Sequence, residues 1–189
     1  MAARRHFLWQ HQSGRIPSSG QGRPLGLEHL LTGQDWASST VIGVAGGMPF
    51  TLRYRLEVGA DGFVRAGVLR VSGQASLTLS RTSVSRWQGN NGEELPDLSG
   101  CTDLALSVSP YTNTLALRRL KLRPGQSGEV LAALIEVPTL TRRVVRQRYT
   151  RLGPHTYRCE NLGGGDSADL TVDDELFVRE YPGQFTLID

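Results

Sequence analysis

The chain has 189 residues, 39% hydrophobic and 21% charged, with a formal net charge of +3. That suits one globular domain spanning 1–189 with a core large enough to need no covalent staples, and leaves too little chain for two ordinary domains. Lys121 is the only lysine, so the positive charge is almost entirely arginine, the background of a GC-rich coding sequence or, in local clusters, a set of planar anion-binding forks.

At the amino terminus Arg4 and Arg5 precede His6-Phe7-Leu8-Trp9, without the apolar run of roughly 7–15 residues that a secretory signal requires. Nowhere does an apolar run approach the roughly 20 residues that span a bilayer. Cys101 and Cys159 are the only cysteines and without a signal are expected to be reduced thiols. A cytoplasmic location is the expectation.

Residues 13–24 are Ser, Gly, Gln, Arg and Pro around a single apolar Ile16, the composition of a loop insertion. Leu25, Leu27, Leu30 and Leu31 fit either a short helix or an irregular strand. From Phe50 the period is two: Phe50, Leu52, Tyr54, Leu56 and Val58 alternate with Thr51, Arg53, Arg55 and Glu57, a strand with one apolar face. Gly59-Ala60-Asp61-Gly62 turns the chain, and Phe63 to Val71 returns as the hairpin partner. Leu77 to Trp87 reads as a third strand, ended by Asn90-Asn91-Gly92 and Pro96.

Leu104, Leu106 and Val108 alternate with Asp103, Ala105 and Ser107. Thr112 to Leu122 is ambiguous but favours a helical turn, capped by Thr112 or Asn113 and with Leu117 and Leu120 on one face. Val130 to Val137 reads as a strand buried on both faces. Val144 to Leu152 and Thr156 to Glu160 flank a Gly153-Pro154 turn, and Leu170 to Val172, Leu176 to Tyr181 and Phe185 to Ile188 close the chain. Short strands at this spacing predict a mostly β chain: an antiparallel rolled sheet or open β-barrel with few short helices.

Catalytic signatures are missing. His6, His11, His29 and His155 show no metal-ligand spacing, and no nucleophile elbow or phosphate-cradling glycine loop is present. No catalytic residue, metal or cofactor is expected. Asp173-Asp174-Glu175 offers a carboxylate cluster but reads better as a solvated turn; a hydrolase using Asp103 or Asp173 remains an alternative. Arg142, Arg143, Arg146, Arg148 and Arg151 form a basic stretch that could meet phosphates, with Tyr149 and Tyr157 as stacking groups. On a strand these arginines divide between two faces, so a nucleic-acid-associated module is the second alternative.

The stretch from Gly100 to Leu120, Gly-Cys-Thr-Asp-Leu-Ala-Leu-Ser-Val-Ser-Pro-Tyr-Thr-Asn-Thr-Leu-Ala-Leu-Arg-Arg-Leu, resembles the signature of the putative glycolipid-binding protein family of bacteria. Trp9, Gly26-Leu27-Glu28, Pro49 to Tyr54, Val172-Asp173 and Tyr181-Pro182-Gly183 resemble further family segments in the same order. Tyr111 stands where that family usually has Phe, Ala116 where it has Pro, and Ala105 where a second aspartate is common. The resemblance implies a rolled sheet similar to the carriers that ferry lipoproteins across the bacterial periplasm, and non-catalytic binding of an amphiphilic lipid or glycolipid in an apolar hollow.

The inner wall would be drawn from Leu52, Tyr54, Leu56, Leu104, Leu106 and Val108, positions that equally suit a packed core. The polar groups a ligand needs are concentrated in Tyr111, Thr112, Asn113, Thr114 and Arg118. Arg119 and Asp103 complete the candidate set as an anion fork and its neighbour, with Trp87 as a core or rim aromatic rather than a sugar platform. Arg118 and Arg119 also have Asp103 and Asp97 as possible ion-pair partners.

Overall fold

A computed structural model describes residues 4–12, 25–74 and 76–188. The expected loop insertion at 13–24 lies outside them. The strands run β1 Arg5–His11, β2 Leu25–Thr32, β3 Trp36–Ala45, β4 Met48–Val58, β5 Val64–Val71, β6 Leu77–Ser83 and β7 Arg86–Gln88 in the first half. The second half holds β8 Asp103–Leu106, helix α1 Tyr111–Leu120, β9 Ser127–Glu136, β10 Thr141–Arg151, β11 Thr156–Asn161, β12 Ser167–Val172, β13 Val178–Tyr181 and β14 Phe185–Ile188.

All 14 strands belong to one curved sheet, in the order β7-β6-β5-β4-β3-β2-β1-β14-β13-β12-β11-β10-β9-β8. Two meanders therefore meet where the first strand pairs the last, with Leu8 opposite Ile188 and His11 opposite Phe185. Strands β7 and β8 are its two edges and do not pair, so the sheet stays open rather than closing into a barrel. Neighbours are antiparallel except β8 and β9, which run parallel. Parallel neighbours need a crossover rather than a tight turn, and α1 supplies it.

Period-two patterning accounts for the first meander. In β4 Phe50, Leu52, Tyr54 and Leu56 are buried while Arg53, Arg55 and Glu57 face water. Strand β9 is buried on both faces as its sequence predicts: Ala133 and Ile135 join the core of the first meander, and Val130 joins the core of the second. Helix α1 also serves both, through Tyr111 and Leu115 on one side and Ala116 and Leu117 on the other.

Four expectations need correction. Leu25 to Thr32 is a regular strand, because it is held between β1 and β3 along its whole length. Leu77 to Trp87 is two strands, since the chain reverses between Ser83 and Arg86. Strands β1 and β3 have no counterpart in the sequence reading, their apolar alternation being diluted by Ser38, Ser39, Thr40 and Gly43 in β3. Neither Thr112 nor Asn113 caps α1, which starts two to three residues earlier, with Pro110 at its N-terminal boundary and no side-chain cap. Its carboxyl end stops at Lys121 in a left-handed conformation (φ 48°), with Arg118 and Arg119 in the last turn, where cations favour the helix dipole.

Candidate ligand-binding site

The inner face of the first meander carries a buried carboxylate. Glu28 points inward from β2, in phase with Leu30 and Thr32, between Trp9 of β1 and Val41 of β3. It is fully enclosed. Its Oε1 accepts from the hydroxyls of Tyr54 (2.6 Å), Ser39 (2.8 Å) and Ser109 (2.9 Å). Oε2 has no partner. Burial outweighs these hydrogen bonds and pushes the Glu28 carboxyl up to about 7. Burial, then the neighbouring Glu28 charge, pushes the Tyr54 phenol well above its usual range. His11, also enclosed, packs edge-on against Phe185 with ring centroids 5.0 Å apart. Neither of its ring nitrogens has a partner. Burial lowers its pKa to about 4, which keeps the ring neutral.

Ser109 connects this cluster to a half-open cavity of about 180 Å³ that lies under α1 against β8 to β11. Ala105, Val130, Ala132 and Leu134 form its apolar wall, and Phe185 borders it from β14. The space exists because small side chains stand where β8 and β9 are covered on both faces: Ala105 pairs with Leu134, and Asp103 with Ala132. Across from that wall, Asn113 of α1 donates to the Tyr149 hydroxyl (2.9 Å), which donates to Gln147 Oε1 (3.2 Å). The chain of bonds leaves an amide oxygen on Asn113 and an amide nitrogen on Gln147 for an occupant. Asn161 and Gln184 add amides to the lining, and Arg143, paired with Glu136 at 3.0 Å, places a charge there. Such groups suit the hydroxyls and ring oxygens of a sugar or a polar headgroup. The thiol of Cys159, also at the wall, is pushed up to about 11 by burial. No cluster of potential metal ligands occurs among the described residues.

The residues nominated from sequence separate into two sets, and helical periodicity divides most of them. Asp103, Thr112 and Asn113 line the cavity. Thr112 Oγ1 also accepts from the Leu106 amide (3.3 Å) and donates to the Ser109 carbonyl (3.4 Å). Tyr54 belongs to the Glu28 cluster. Trp87 is buried, its indole donating to the Cys101 carbonyl at 2.9 Å, so of the two readings the core one holds. Tyr111 stacks on Phe177 at 6.2 Å, and burial pushes its phenol up to about 12. Thr114 is enclosed and its hydroxyl has no partner. Arg118 donates to the Glu175 carbonyl (2.8 Å) and lies 4.4 Å over the Phe177 ring. Arg119 pairs with Asp103 at 2.7 Å and lies 4.4 Å over Phe63. The proposed inner wall of Leu52, Leu56, Leu104, Leu106 and Val108 is packed core, with Leu104 and Leu106 also reaching the cavity.

The arginine stretch is an ion-paired surface. Arg142 pairs with Asp97, Arg143 with Glu136, and Arg146 and Arg148 with Glu129, all at 2.7–3.0 Å. Arg151 donates to three backbone carbonyls. Asp173 organises its own turn, accepting from the amides of Glu175 (2.9 Å) and Phe177 (2.8 Å), and Arg5 bridges Asp173 and Glu175. Sequence reasoning passed over Gln147, Asn161 and Gln184, which no motif marks. Glu28 enters it only within a family-like segment, because Leu25, Leu27 and Leu31 occupy the opposite phase and local alternation does not choose between the two faces.

Fold and cavity together define a mostly β protein built on one open, curved sheet with one crossover helix. The chain belongs to the family described as "Putative glycolipid-binding", whose model matches residues 25–186. It is similar to the crystal structure of a DUF1089 family protein from Pseudomonas aeruginosa, with 39% identity, a TM-score of 0.81, and coverage of 92% of this chain and 94% of that one. No curated protein matches the chain. No helix among the described residues is long and apolar enough to cross a membrane.

Proposed function

We propose that the chain binds an amphiphilic small molecule, a lipid or glycolipid, without covalent chemistry, and that its polar end occupies the cavity beneath α1. The observation that carries this reading is the pairing of an alanine-lined wall with the Asn113–Tyr149–Gln147 hydrogen-bond chain in one half-open space. At about 180 Å³ the space falls below the roughly 300–1,000 Å³ of sites that enclose a drug-sized ligand. It therefore takes a headgroup-sized part, and the remainder of the molecule leaves through the open side.

The test is titration calorimetry with dodecyl maltoside below its micellar concentration, set against a maltose control. Ala132→Trp fills the cavity from its wall, and Asn113→Leu removes the amide facing it. Each is expected to weaken binding by at least about tenfold, equivalent to about 1.4 kcal/mol. Binding that survives both substitutions, in variants that keep the wild-type circular dichroism, refutes the assignment of this cavity.

A further inference from the structure

The outer face of the sheet inverts the pattern of the inner one. Glu28 is buried, yet its neighbours in β2 are exposed apolar residues: Leu25 is 53% and Leu27 47% accessible. In β3, Ile42 is 62% accessible and Val44 is also exposed; Met48, at the start of β4, reaches 68%. Register makes Leu25, Leu27, Ile42 and Val44 one outer-face patch, because Leu25 pairs with Val44 and Leu27 with Ile42. Met48, opposite Ala45 and two residues before buried Phe50, belongs to the other phase and meets the patch only at the hairpin tip. Along the same face Leu8 of β1 and Ile188 of β14, both exposed, pair with each other. The patch ends at the Gly46-Gly47 turn, where both residues have positive φ (58° and 80°) and nothing approaches within 4 Å of either added Cβ position. A two-residue turn of this type fixes the hairpin tip, so Met48 and Val44 project on a rigid edge.

Charge completes the surface. The next row across the sheet reads Ile188, Leu8, His29, Thr40, Arg53, Arg70. Arg53 and Arg70 face each other directly across β4 and β5, and neither has an acidic partner among the described residues, unlike the arginines of β10. Like charges set opposite each other in a sheet destabilise it; an external anion removes that cost. No aspartate or glutamate occupies this row, or the parts of the neighbouring rows that cross β1 to β4 through Leu25, Val44 and Pro49 and through Gln10, Leu27, Ile42 and Thr51; the latter row meets its first carboxylate at Glu180 of β13, opposite Thr186. With a strand rise of about 3.4 Å, the arginine row lies about 7 Å behind Leu27 and Ile42.

An apolar edge with an unpaired cation row one step behind it matches a bilayer interface, where the edge enters the acyl boundary and the guanidinium groups meet headgroup phosphates. We infer that the outer face of β2 to β5, led by the Gly46-Gly47 hairpin, docks on an anionic lipid membrane.

Co-sedimentation of the full chain with vesicles tests this, using phosphatidylcholine alone or mixed with phosphatidylglycerol. Wild type is expected to bind the mixed vesicles at least about tenfold more tightly than the neutral ones, and less tightly as salt is raised. Ile42→Glu combined with Val44→Glu is expected to lose at least about tenfold on mixed vesicles. Arg53→Gln with Arg70→Gln removes the preference for the anionic lipid. Leu27→Ser alone, on the exposed outer face, keeps the test available should the double glutamate variant fail to fold.

Equal binding to both vesicle types, or binding indifferent to these substitutions, overturns the inference. A dimer in sedimentation equilibrium that the glutamate variants split, without vesicle binding, assigns the patch to a second copy instead. Binding that appears only after deletion of residues 13–24 overturns it for the intact chain. The vesicles contain no glycolipid, so the result is independent of whether the cavity binds its headgroup.

Discussion

Replacing Glu28 by Gln should change how stability depends on pH, by an amount set by the burial of that carboxyl. Its ordinary value near 4.5 rises to about 7 in the folded chain. Below pH 4.5 both folded and unfolded states hold the proton, and the group costs nothing. As pH rises through this window the unfolded chain ionises first, so stability falls, and it levels off once the folded carboxyl ionises near 7. The gap corresponds to about 3 kcal/mol at 25 °C. His11 acts in the opposite sense: lowered from 6.5 to about 4, it contributes stability above 6.5 that is lost as pH falls through 4.

In the wild type the two trends largely oppose each other, and Glu28→Gln leaves only that of His11. Gln keeps an oxygen for the hydroxyls of Ser39, Tyr54 and Ser109. Urea unfolding followed through the fluorescence of buried Trp9 and Trp87 reads the difference. With an m-value of about 2 kcal/mol/M, the gap between variant and wild-type midpoints should widen by about 1.5 M in favour of the variant from pH 4.5 to about pH 7.5. A gap that stays constant across that range, or narrows, refutes the argument.

Arg119→Met strands the mostly buried Asp103 carboxylate, whose side chain is 11% accessible. A loss of about 2–3 kcal/mol in thermal or urea unfolding is expected, somewhat below the cost of breaking a fully buried pair, and addition of Asp103→Asn should recover part of it. Tyr149→Phe removes the middle of the Asn113–Tyr149–Gln147 chain; about 1–2 kcal/mol of stability should go, together with affinity for dodecyl maltoside. Because Arg142, Arg143, Arg146 and Arg148 are already ion-paired, polarisation titrations with mixed oligonucleotides should show weak binding with a shallow salt dependence. A steep slope would restore the nucleic-acid reading.

The docking face and the Glu28 cluster lie on opposite faces of the same strands, and β2 shows why the sequence does not separate them. Leu25, Leu27, Leu30 and Leu31 give no single phase, so this segment fits either a short helix or an irregular strand from sequence alone. Pairing to β1 and β3 resolves it: Leu30 goes in with Glu28, while Leu25 and Leu27 go out. A one-residue change of phase would exchange the faces, and local sequence holds nothing strong enough to choose. Strand β4, with a clean alternation from Phe50 to Val58, needed no such help.

Sequence alone determined the strand-rich class, the β4–β5 hairpin, the doubly buried β9 and the family likeness, because alternation, turn chemistry and short motifs act over a few residues. Tertiary structure decided the rest. It joined the first strand to the last, placed α1 across the interior, and brought Asn113, Gln147 and Asn161 around one small space. It also gathered Ser39, Tyr54 and Ser109 on Glu28, from β3, β4 and the turn before α1. Those contacts link positions up to 81 residues apart, and a hydroxyl or amide carries no mark of its partner until the sheet curves and fixes which faces meet.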